Sequence, residues 1–169
     1  MVEHERFESF LESLPECLPK HLVDLELENI KEGIPIIRKG GERLIRFMLE
    51  LKKPVNILEV GTATGFSALL MLEYIGKEAK ITTIERMEER AAKAEENFKK
   101  YDKKGQITLI KGDALDVLNE LVAANNEYDF IFMDAAKGQY INFFENIKKL
   151  KAELGVENTA KMLGFTDNP

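Results

Sequence analysis

After Pro54 the chain settles into a regular alternation. "VNILEV" (55–60), "KITTIE" (80–85), "QITLIKGD" (106–113) and "YDFIFMD" (128–134) are short, mostly apolar runs. Between and after them come "GFSALLMLEYIG" (65–76), "MEERAAKAEENFKKYD" (87–102), "ALDVLNELVAAN" (114–125) and "YINFFENIKKLKAEL" (140–154). Each of these has its apolar residues at helical spacing. Strands that are nearly all apolar are expected to be buried on both faces, as in parallel sheets. Strand and helix in strict succession build such a sheet with helices on either side. The expected fold is therefore α/β, a doubly wound parallel sheet.

The segment before Pro54 has a different texture. Phe7, Phe10, Leu11 and Leu14 recur at helical spacing, and Pro15 and Pro19 punctuate. Leu22, Leu25, Leu27 and Ile30 mark a second helical stretch that stops near Gly33. "IPII" (34–37) is extended, because a residue before proline is pushed out of the helical region. "GGERLIRFMLELKK" (40–53) is an amphipathic helix with Leu44, Ile45, Met48 and Leu49 on one face.

At 169 residues and 44% hydrophobic content the chain suits one compact domain. The expected division is a helical part (1–53), a Rossmann-like core (54–154) and an atypical tail (155–169). A net charge of −6 argues against a protein built mainly to grip nucleic acid without specificity. The single cysteine, Cys17, cannot form an internal disulfide and reads as a small buried apolar residue. His4 and His21 are the only histidines, so a zinc site or a Ser-His-Asp triad is disfavoured; both read as solvated surface groups. "MVEHERFESFLESL" is too acidic and too interrupted for a signal peptide, and no apolar run reaches membrane-spanning length. The expectation is a soluble cytoplasmic protein with no membrane partner.

In open parallel sheets, ligands bind beyond the carboxyl ends of the strands. The first strand delivers Glu59, Gly61, Gly65 and Ser67 there, the second Glu85, the third Gly112, Asp113 and Ala114, and the fourth Asp134 and Lys137. An acid in such a place is commonly the N-cap of the next helix, but four strands ending alike point to a shared ligand. Glu85 follows the glycine loop by about twenty residues, the spacing of an acid that receives ribose hydroxyls. The loop is Gly61-Thr62-Ala63-Thr64-Gly65, with Ala63 where a dinucleotide fingerprint needs its middle glycine. So many acids also suit a pyrophosphate poorly. They suit a ligand with a ribose, an adenine and a positive charge, and S-adenosylmethionine has all three. A nucleotide-dependent oxidoreductase is the weaker alternative.

"NILEVGTATGFSALLM", "ITTIERMEERA", "ITLIKGDAL" and "YDFIFMDAAKGQY", in that order, resemble the cation-dependent O-methyltransferases. That family includes catechol O-methyltransferase. The resemblance covers about residues 30–147 and leans to the bacterial branch with the tRNA 5-hydroxyuridine methyltransferases. It implies a doubly wound methyltransferase fold with S-adenosylmethionine as methyl donor. It implies that Ile37 touches the cofactor and that Glu59, Gly61 and Ser67 line its methionine part; the loop's Gly65 is a further expected cofactor contact. Glu85 would hold the ribose, Asp113 and Ala114 the adenine. Asp134 would face both cofactor and Mg²⁺ (or another divalent cation), and Lys137 would act beside the acceptor hydroxyl as base or oxyanion partner. The acceptor would be a hydroxylated tRNA uridine or a catechol-like phenol.

In the family pattern the next helix leads to a glycine-led apolar strand ending in Asp-Asn, further metal ligands, then another helix and a closing hairpin. Here "KAELGVENTAKMLGFTDNP" follows instead. "TDN" (166–168) repeats the strand ending, which implies Asp167 and Asn168 as metal ligands, yet the apolar strand before it and the hairpin are absent. Two expectations stand: an active, metal-assisted enzyme with a rebuilt tail, or a truncated remnant that binds cofactor without catalysis. An uncovered sheet edge would invite pairing with a second copy, a homodimer.

Overall fold

The computed structural model of the chain describes residues 18–134 and 140–150. The expected helix around Phe7–Leu14, Cys17, His4, Lys137 and the tail with Asp167 and Asn168 lie outside the described residues. The elements run α1 (Lys20–Lys31), α2 (Lys39–Lys52), β1 (Asn56–Val60), α3 (Phe66–Leu72), β2 (Lys80–Glu85), α4 (Glu88–Tyr101), β3 (Ile107–Lys111), α5 (Ala114–Ala123), β4 (Phe130–Met133) and α6 (Tyr140–Leu150).

The four strands form one sheet in the order β3-β2-β1-β4, and every pairing is parallel. The chain winds outward from β1 to β3, then crosses back to place β4 on the other side of β1. The doubly wound α/β expectation is met. Burial on both faces holds for the two inner strands. It is not met by β3 and β4, whose residues are half-buried or exposed; among the described strands these two are the edges.

The apolar residues sort into packed groups. Leu58, Val60 and Ile84 meet Val117, Leu118, Phe143, Ile147 and Leu150 from α5 and α6. Leu22 and Leu25 of α1 meet Phe66, Leu69, Leu70, Ala94 and Phe98. Ile45 and Leu49 of α2 meet Ile57, Met71 and Ile81. Phe143 is buried in the core, while Phe144 lies half-buried under the Lys148 ammonium.

Several expectations shift. Leu27 and Ile30 are more than half exposed, at 60% and 62%; the buried face of α1 is Leu22, Leu25 and Asn29. His21 is not simply solvated, since it stacks on Tyr101 at 4.7 Å and its Nε2 lies 3.4 Å from Glu73 Oε1. Helix α3 stops at Leu72 and not at Gly76, because Glu73 and Tyr74 donate three residues back, to Leu70 and Met71, in tight turns. Strand β4 starts at Phe130. Before it, the Asp129 carboxylate accepts from the backbone N–H groups of Val55 and Asn56 at 2.8 and 2.9 Å, and Tyr128 N donates to Leu150 O.

Candidate cofactor site at the strand ends

Glu59 sits next to the last residue of β1, one of the two strands with a neighbour on each side. Its side chain is fully buried. Ser67 Oγ donates to Oε1 and Thr83 Oγ1 donates to Oε2, both at 2.5 Å. Thr62 Oγ1 lies 2.5 Å from Thr83 Oγ1. With the Thr83 proton committed to an ionised Glu59, Thr62 is the donor in that pair. Burial pushes the Glu59 carboxyl up to about 7; its two hydroxyl donors oppose this, and the negative fields of Asp134 and Glu85 add to it. The fields of Asp134 and Glu85 thus both reach Glu59.

The glycine turn follows β1. Gly61 and Thr62 both donate to Ile84 O, at 3.0 and 3.1 Å, which ties the start of the turn to β2. Gly61 has φ +101° and Gly65 φ +88°, values that L side chains rarely adopt. A Cβ on Gly65 would also lie 2.6 Å from Phe98 Cε1. Ala63, at the place of the missing fingerprint glycine, nonetheless has φ +47°. Its N–H donates to Glu85 Oε2 at 2.8 Å, while Glu85 Oε1 accepts from Met87 N at 2.9 Å. Glu85 is thus oriented by the glycine turn on one side and by the entry to α4 on the other.

Asp113 is the N-cap of α5, its Oδ1 accepting from Leu115 N at 2.9 Å, so the bland reading of an acid at a helix start holds for it. Ala114 opens α5 and packs against the core. Ile37 packs between α1, α2 and the core. Asp134 is exposed, one residue past β4, and its N–H donates to Val60 O at 3.0 Å, beside the start of the glycine turn. The structure thus gathers Glu59, Gly61, Ser67, Glu85 and Asp134 at the carboxyl ends of β1, β2 and β4. Thr62, Thr83, Asn29, Thr64 and Asn97 belong to the same surroundings and were not among the expected residues. Asn29 had a signal: it follows Leu22 and Leu25 at helical spacing, a polar residue on an apolar face.

A family model described as O-methyltransferase matches residues 12–160. This chain belongs to that family. Among relatives of this O-methyltransferase family member, a caffeoyl-CoA O-methyltransferase of Stellaria longipes is 34% identical over 132 residues, 74% of this chain and 55% of its own length. A catechol O-methyltransferase of Niastella koreensis is 31% identical over 116 residues, 67% of this chain and 52% of its own. The solved structure of an SAH-bound methyltransferase from Podospora anserina superposes with a TM-score of 0.74 at 28% identity, covering 88% of this chain and 64% of that one. The chain spans about half the length of the curated relatives it matches. Among the described residues no helix is long and apolar enough to cross a membrane.

Proposed function

We propose that this O-methyltransferase family member binds S-adenosylmethionine at the carboxyl ends of its four described strands and transfers its methyl group to an acidic hydroxyl. The observation that carries this reading is the convergence of Glu59, Glu85 and Asp134 around a glycine turn with left-handed backbone. Carboxylates suit a donor that carries an ammonium, a sulfonium and ribose hydroxyls and has no phosphate. In this reading Glu59, Gly61, Gly65 and Ser67 face the methionine part, Glu85 the ribose, Asp113 and Ala114 the adenine, and Ile37 closes the apolar side. The SAH-bound relative supports the same ligand class.

The reaction is an in-line displacement. The acceptor oxygen forms a bond to the methyl carbon as the carbon–sulfur bond breaks, and the sulfonium leaves as a neutral thioether. The acceptor must shed its proton. Lys137 serves as base for that proton or as the cation beside the oxyanion.

Mg²⁺ assistance is part of the proposal because Asp134 offers the oxygen-ligand type that the ion prefers. Among the described residues, however, no group of three His, Cys, Asp or Glu could hold a metal ion. Asp134 is the expected ligand that lies among them, and Asp167 and Asn168 lie outside them. The acceptor is a catechol-like phenol or a hydroxylated tRNA uridine, both of which present an acidic hydroxyl. Labelled methyl donor, offered with a catechol or with tRNA bearing 5-hydroxyuridine, with and without Mg²⁺, tests all parts together. Transfer to one acceptor is the expected result. Binding of NAD but not of S-adenosylmethionine would overturn the reading.

A further inference from the structure

Helix α1 is fastened over the glycine turn from several directions. Lys93 of α4 pairs with Glu28 at 3.1 Å and with Glu32. Lys39 of α2 pairs with Glu26 at 2.7 Å. These contacts lie near the surface, where ion pairs contribute little. One contact is different. Asn29 has no exposed surface, and its Oδ1 accepts from Thr64 Oγ1 at 2.7 Å. Its Nδ2 donates to Leu25 O at 2.8 Å, which fixes the amide orientation. Thr64 is itself fully buried, and its carbonyl accepts from Asn97 Nδ2 of α4 at 2.9 Å. The third and fourth residues of the loop are thereby held from three elements: Thr64 from α1 and α4, and Ala63 from β2 through Glu85.

We propose that Asn29 is a positioning residue for cofactor binding, which locks the glycine turn through Thr64 and so fixes the carboxylate of Glu85. The physical route is short. Ala63 occupies a left-handed conformation that a non-glycine residue leaves unless its surroundings hold it there. Thr64 is the next residue, and its side chain and carbonyl are both engaged. With the Thr64 hydroxyl released, only the Asn97 contact to its carbonyl remains; Ala63 can then relax toward ordinary backbone angles, which turns its N–H away from Glu85 Oε2. Glu85 loses one of the two donors that orient it. Asn29 itself need never touch the ligand. Seating of α1 and affinity for the nucleoside are in this way one property.

This inference rests on the cofactor reading above, and its test separates the two. Removing one member of a buried hydrogen-bonded pair strands the other, which lowers stability whatever its role. Replacing both by apolar groups of similar shape can leave stability nearly unchanged. The informative protein is therefore the full chain carrying Asn29→Leu together with Thr64→Val, with Thr64→Ser as the variant that keeps the hydroxyl. Binding of SAH is measured by calorimetry well below the unfolding temperature, beside thermal unfolding of each protein. Leu121→Ala, at a buried core position of α5, sets how far lost stability alone moves the affinity. The expected result is SAH affinity about tenfold weaker in the double variant, wild-type affinity in Thr64→Ser, and wild-type affinity in Leu121→Ala at a lower unfolding temperature. Wild-type affinity in the double variant would overturn the lock while leaving the cofactor site standing. Absence of SAH binding by the wild-type chain would overturn the cofactor reading and the lock with it. An equal loss of affinity in Leu121→Ala and the double variant would reduce Asn29 to a stabilising contact.

Discussion

Thr83 stands directly opposite Glu59 across the β1–β2 pairing, and its hydroxyl donates to the Glu59 carboxylate at 2.5 Å. The network that surrounds a candidate ligand site is thus built into the register of the two inner strands. A slip of either strand by one residue would leave the two side chains on opposite faces of the sheet.

Stability should fall as pH rises toward neutrality because of Glu59. Its folded carboxyl is raised to about 7, above the ordinary carboxylate range. Between those two values the folded chain keeps a proton that the unfolded chain has released. The contribution is therefore lost progressively as pH climbs through this window and levels off above about 7. The full effect is on the order of 3 kcal/mol. Urea unfolding from pH 5 to 8 should show this slope in the wild type and a shallower one in Glu59→Gln. Parallel slopes would mean that Glu59 titrates normally. A cationic donor favours the ionised form, so S-adenosylmethionine affinity should move the other way and increase with pH up to about 7.

Glu85 should resist even a close replacement. Its two oxygens serve separate backbone donors, Ala63 N and Met87 N. Glu85→Ala should weaken S-adenosylmethionine by roughly 1–3 kcal/mol. Glu85→Gln should lose nearly as much, since its amide NH₂ would face one of those N–H groups. Calorimetry that found full affinity in Glu85→Gln would show that the two backbone contacts do not matter for the ligand.

Gly65→Ala should cost stability by about 1–3 kcal/mol through its left-handed backbone and the crowding against Phe98. Phe98→Leu in the same chain should relieve the crowding and leave the backbone part. Denaturant midpoints of the single and double variants give the split. A double variant no better than the single would assign the whole loss to the backbone.

Lys137→Ala should lower kcat by about 10²–10⁴ if the amine is a general base. Donor affinity should stay close to wild type, because in the proposed arrangement the lysine faces the acceptor. Single-turnover transfer rates at saturating donor decide this, and an unchanged rate would remove Lys137 from the mechanism.

Most of the fold was legible in the chain because four apolar strands leave little choice of partner layers. The acids at their carboxyl ends were legible for the same reason: each lies where its strand runs out. What escaped was the polar scaffolding. Thr83 looked like an ordinary strand residue, and its value comes only from facing Glu59 across the sheet. Asn97 lies within a charged helix, and nothing local says that it reaches Thr64. Leu27 and Ile30 fit a helical pattern but not the face that packs, since periodicity alone does not fix which way α1 is rolled. Asn29 on the apolar face was the clue to that roll.

The strand order also sets a schedule for assembly. Glu59 and Thr83, on β1 and β2, are 24 residues apart, whereas Asn56 and Asp129, which tie β1 to the approach of β4, are 73 apart. Closing the longer loop costs more chain entropy, so the two inner strands should come together first and β4 should dock late. Pulsed hydrogen exchange would test this: early protection in β4 would contradict it. On this schedule a nascent chain forms the glycine turn and its hydroxyl network before the strand bearing Asp134 arrives. The half of the sheet that carries Glu59, Thr83 and Glu85 is then a folding unit in its own right, and β4 is the piece that completes it.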